Sequence, residues 1–132
     1  MPEKLAALVA EIYAALDAGA NRLAAMGVRT VVDMVALELV GDAGGFGKKL
    51  DALVGDGYIA GKDRERLSVV VDAGSAAAHR GAAFEYQQLA HMMETVEHLL
   101  KGLYAFKDDS KKLRGVTPKR RRTSSRGPKV KP

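Results

Sequence analysis

The chain has 132 residues, 47% hydrophobic and 28% charged, enough for one compact domain of about 100 residues with an appendage and too few for two ordinary enzyme domains. It has no Cys, which excludes a disulfide framework and a thiolate zinc site. Charges such as Arg29, Asp33 and Glu38 break every apolar stretch before the roughly 20 residues a membrane span needs, and with 5% aromatic residues and no Trp, stacking platforms for bases are scarce.

In residues 3–18, Leu5, Leu8, Val9, Ile12 and Leu16 recur at helical spacing and leave Glu3, Lys4 and Glu11 for water, which predicts an amphipathic helix. Gly19 stops it, and Asn21 is the expected N-cap of a second helix over 22–40. That helix is apolar nearly all round and should be central. Arg22, Arg29 and Asp33 share one narrow stripe on it, with Arg29 set to pair with Asp33 four residues on. The glycine loop Gly41–Gly47 leads into a short helix through 48–54, and Gly55 and Gly57 form a second turn. Asp63 is the expected N-cap of a further helix that runs through Leu67, Val70 and Val71 to His79 and ends at Gly81. A last helix spans about 85–106, with Tyr86, Leu89, Met93, Val96, Leu100 and Leu103 as its buried stripe. No alternating pattern argues for a sheet, so the body is an all-α bundle of four or five helices.

Charge divides the chain. Residues 1–106 hold 10 Lys and Arg against 14 Asp and Glu, a net charge of −4, whereas residues 107–132 hold 11 against 2, a net charge of +9. The second segment has few large apolar residues and carries Gly115, Pro118, Gly127 and Pro128, so residues 1–106 are expected to form the bundle and 107–132 a disordered basic tail. Lys119, Arg120, Arg121, Arg122 and Arg126 give that tail the charge density to release counterions from RNA or DNA whatever its sequence. Met1-Pro2-Glu3-Lys4 opens no signal-peptide core, and a cytoplasmic setting is the expectation.

Three constellations in the body invite chemistry. Gly41-Asp42-Ala43-Gly44-Gly45-Phe46-Gly47-Lys48-Lys49 resembles a phosphate cradle only loosely: Asp42 stands where the motif needs glycine and Lys49 where it needs Ser or Thr, so a plain connector is the better reading. Asp72, Ser75 and His79 share one helix face, but a mid-helix serine lacks the strained turn and oxyanion hole of a hydrolase, so Asp72 and Ser75 are expected to orient His79. Gly74, Ala76, Ala77 and Ala78 would let another helix approach closely. His91, Glu94, His98 and Lys101 form a stripe that any solvated face offers, and neither a metal nor another cofactor is expected.

Gly45-Phe46-Gly47-Lys48-Lys49-Leu50, Gly57-Tyr58-Ile59 and above all Asp72-Ala73-Gly74-Ser75-Ala76-Ala77-Ala78-His79-Arg80-Gly81 resemble the domain of unknown function 4145, as does Gly27-Val28-Arg29 with Asp33. The likeness covers roughly residues 10–105. Members of that family recur in bacterial restriction-type and other defence proteins, and the domain is similar to the HEPN superfamily of helical bundles, many of them dimeric, metal-independent ribonucleases with an arginine and a histidine on one helix. The resemblance therefore implies a HEPN-like fold, a homodimer and a larger defence effector as partner. The positions where the arginine would precede His79 hold Asp72, Ala73 and Gly74, and Arg80 follows it. A non-enzymatic module is accordingly the favoured expectation, with a ribonuclease using His79 with Arg80 or Arg29, and with Asp72, Ser75 and Asp33 in support, as the alternative.

Overall fold

A computed structural model describes residues 1–118. Helices α1 (Glu3–Asp17), α2 (Asn21–Val40), α3 (Phe46–Gly55), α4 (Gly61–Arg80) and α5 (Tyr86–Leu100) build the bundle; a π-helical turn at Lys101–Ala105 then leads into α6 (Phe106–Val116). No strand occurs among the described residues, and the fold is all-α as the periodicity predicts. No helix among them is long and apolar enough to cross a membrane.

The hub is α2, which packs on α1, α3, α4 and α5. It buries Ala24, Ala25, Val28, Val31, Val32, Val35 and Ala36, a sequence too apolar to leave more than one narrow side facing water. Around it stand Leu5 and Ile12 from α1, Leu53 from α3, Leu67 from α4 and Leu89 and Val96 from α5, all 2% exposed or less. Each such side chain contributes about 1.5–3 kcal/mol when taken out of water, so the core rests on large aliphatic residues with small Ala and Gly at the close crossings. No buried polar or charged residue interrupts it among the described residues.

The caps differ from the sequence expectation in two places. Asn21 is the first residue of α2, and Ala20 stands at the N-cap; the Asn21 side-chain amide donates instead to the Phe84 carbonyl at 2.9 Å, tying the α4–α5 link to the start of α2. Helix α4 begins two residues before Asp63, which lies in the first turn, where a carboxylate still meets the favourable end of the helix dipole, 3.8 Å from Arg66. Gly81 ends α4 as expected: its φ of 64° is the left-handed conformation that glycine adopts without a Cβ penalty, and the Ala82 amide turns back to the Ala76 carbonyl at 3.1 Å. At the start of α5 the Glu85 amide donates to the Gln88 side chain at 2.9 Å.

Two further expectations change. Tyr86 is 60% exposed and is not part of the buried stripe of α5, which takes in Met92 and Leu99 as well. Residues 107–116, expected to be disordered, continue the helix as α6. The reason is physical: a helix already nucleated in α5 lengthens at small cost per residue, and Lys and Arg are good helix formers even where nothing apolar is buried. The basic residues Lys119, Arg120, Arg121, Arg122 and Arg126 lie outside the described residues.

Candidate functional site

Gly74 brings α4 onto α2. A Cβ at that position would lie 2.5 Å from Arg29 Cβ and 2.8 Å from the Ala25 carbonyl oxygen, so only glycine permits this crossing. The same approach sets Arg29 opposite Ser75, and Arg29 Nε donates to Ser75 Oγ at 2.9 Å. The Arg29 guanidinium also lies 4.6 Å from the centre of the Phe46 ring, and Lys49 Nζ lies 5.3 Å from it. Lys49 in turn makes a 2.6 Å ion pair with Asp33. The expected Arg29–Asp33 pair is thus replaced by two partners from other helices, because the close crossing offers Arg29 a hydroxyl and an aromatic face while α3 supplies Asp33 with a lysine only 14% exposed. Arg29, Ser75, Phe46, Lys49 and Asp33 form a polar clasp that joins α2, α3 and α4.

His79 lies on the last turn of α4, exposed, with Arg80 exposed beside it. The two residues expected to orient His79 do not do so. Ser75 is engaged by Arg29, Asp72 is exposed, and among the described residues no hydrogen bond joins either of them to the imidazole. The cation nearest in function is one the sequence reading passed over: Arg22 Nε donates to the Gly81 carbonyl at 2.8 Å, capping the negative end of α4 two residues after His79. The helical stripe linking Arg22 with Arg29 was visible in the sequence, but not that both residues face α4.

The glycine segment between α2 and α3 works as a connector. Lys49 is taken by Asp33, and Arg64 closes over the start of α3, bonding Asp51 at 2.6 Å and the Gly47 carbonyl at 3.3 Å. Two tyrosine–carboxylate bonds brace the outside of the bundle and have no signature in the sequence, since 84 and 66 residues separate their members. Tyr13 donates to Glu97 at 2.5 Å and Tyr104 to Glu38 at 3.1 Å. Burial, then the hydrogen bond to the carboxylate, then that carboxylate's charge push both phenols up to about 12.

Between α4 and α5 the surface opens into a groove of about 540 Å³. Ile59, Leu67, Val70, Met92 and Leu99 form its floor, and Asp63, Arg66, His91, Glu94 and His98 stand at its edge. The α5 stripe of His91, Glu94 and His98 is therefore one wall of a cleft. Among the described residues no group of three His, Asp or Glu side chains has the arrangement to hold a metal ion. Val69, on the groove wall, is 68% exposed, a large aliphatic residue left in water.

Residues 10–117 match the family described as domain of unknown function DUF4145. The chain belongs to that family. The match takes in the clasp, His79 and the groove, and it runs through α6, beyond the stretch over which the sequence motifs were visible. No curated protein and no solved structure matches the chain.

Proposed function

We propose that this DUF4145 domain is a non-enzymatic, homodimeric helical interaction module, cytoplasmic and bacterial, that serves a larger defence-system effector and contacts RNA or DNA through its basic C-terminal segment. The observation that carries the nucleic-acid contact is the segregation of charge along the fold. Residues 1–106 are net acidic, and α6 leaves them with Lys111, Lys112 and Arg114 all exposed. Cations held on a projecting helix meet a polyphosphate without first crossing the field of the acidic body. The defence setting, the effector and the dimer follow from the resemblance alone.

A chain ending at Phe106 tests the reading. It loses 11 basic and 2 acidic residues, and we expect it to lose most of its retention on RNA or DNA at low salt, together with the steep fall of log K with log salt that many phosphate contacts produce. Retention equal to that of the full chain would remove the basic segment from the function.

The second reading, a HEPN-type metal-independent ribonuclease, draws on His79 and Arg80 exposed side by side and on Arg22 at the Gly81 carbonyl. Arg29, the other candidate cation, is engaged by Ser75 and Phe46. Structured RNA incubated with the protein in EDTA separates the two readings. Cleavage abolished by His79→Ala would establish the enzyme, and intact RNA supports the module.

A further inference from the structure

Two features of the molecule are each incomplete. The α4–α5 groove has an apolar floor and the exposed Val69 on its wall, with no part of the chain lying in it. Helix α6 has the opposite deficiency: its substantial contacts are only with the π-helical turn before it, and Leu113 and Val116, three residues apart on one side, are 66% and 79% exposed. Lys111 and Arg114 fall on the other side of that helix. A helix of 11 residues is marginal in water and gains its stability from docking an apolar face.

We propose that α6 of one protomer docks in the α4–α5 groove of a second copy, and that the exchange is reciprocal. This rests on the reading of the chain as a homodimeric module and names the surface that makes the dimer. The occupant is a second copy, because α5, the π-helical turn and α6 run on as one helical segment from Tyr86 to Val116. Folding α6 back onto its own groove would require breaking that segment. The groove ends at Gly102 and Leu103, where α6 departs. Two such segments laid antiparallel and crossing near Leu103 bring residues 106–116 of each beside residues 90–100 of the other, and residues 91–99 form the α5 wall of the groove. Charge favours the same arrangement: a basic arm meets a body of net charge −4, with Asp63 and Glu94 at the groove edge. With Leu113 and Val116 docked, Lys111 and Arg114 remain outward for a polyphosphate, so both uses of α6 coexist.

The absence of Cys makes the test direct. Full-length Val69→Cys and Leu113→Cys chains, mixed under mild oxidation, are expected to form a disulfide-linked pair carrying one of each. Either variant alone should form far less. Light scattering and sedimentation across a concentration series should give a dimer for the unaltered chain, and Leu113→Glu should raise its dissociation constant by about tenfold or more. Leu113 lies outside the bundle, so this variant keeps the thermal unfolding of the parent. A monomer at every concentration would overturn the exchange. So would a dimer indifferent to Leu113→Glu, or Val69–Val69 cross-linking as strong as the mixed pair; that dimer would leave the module reading standing on another face. Nucleic-acid retention is measured separately, on the chain ending at Phe106.

Discussion

The Gly74 crossing makes a strong demand on a single residue, and Gly74→Ala measures it. The added methyl meets Arg29 Cβ at 2.5 Å and the Ala25 carbonyl at 2.8 Å. Neither atom is the free end of a side chain, so α2 and α4 must move apart by about 1 Å to reach ordinary contact distances. Overpacking of this kind costs about 1–3 kcal/mol, and the stiffness of both neighbours puts the cost at the upper end. Alanine returns about 1 kcal/mol through its better helix propensity, leaving a net loss of roughly 2 kcal/mol and a fall in melting temperature of roughly 8 °C. Urea unfolding followed by circular dichroism should show a lower midpoint at unchanged slope. Gly55→Ala is the control, since nothing lies within 4 Å of a Cβ there, and it should not destabilise. A Gly74→Ala protein as stable as the parent would refute the claim that glycine sets the α2–α4 distance.

Arg29→Ala should cost about 1–2 kcal/mol through loss of the Ser75 bond and the Phe46 face. A double-mutant cycle with Ser75→Ala should return a coupling of about 0.5–1.5 kcal/mol, and additive effects would deny the contact. Lys49→Ala, which leaves Asp33 in a partly solvated position, should cost no more than about 1 kcal/mol in denaturant titration. For Tyr13 and Tyr104 the folded-state phenols are raised to about 12 against 10.0 unfolded, so between pH 10 and 12 the unfolded chain binds fewer protons and stability falls as pH rises. Tyr13→Phe should flatten that fall while retaining the decline due to Tyr104; an unchanged pH profile would contradict the Glu97 bond.

The bundle helices were legible because burial leaves a period in the sequence. Leu5, Ile12 and Leu16 mark one face of α1, and the near absence of polar residues from α2 marks the helix that others surround. What could not be read is which distant groups compete for a side chain. The local rule joins Arg29 to Asp33, but the Gly74 crossing brings Ser75 to Arg29, and α3 brings Lys49 to Asp33. Asn21 has the composition of a cap, yet Phe84 offers its amide a carbonyl 63 residues away. The groove had only half a signal: His91, Glu94 and His98 showed as a stripe, while the α4 wall opposite depends on how the two helices splay. For α6, composition argued for disorder and was outweighed by the helix already formed before it.

The π-helical turn at Lys101–Ala105 gives the chain a place to change its aim. One residue inserted or deleted there would rotate everything beyond it by about 100°, exchanging the outlook of Leu113 with that of Arg114 while every bundle helix stays as it is. Descendants of this sequence could therefore acquire new targets by length variation at a joint, with no penalty to the core that makes folding possible.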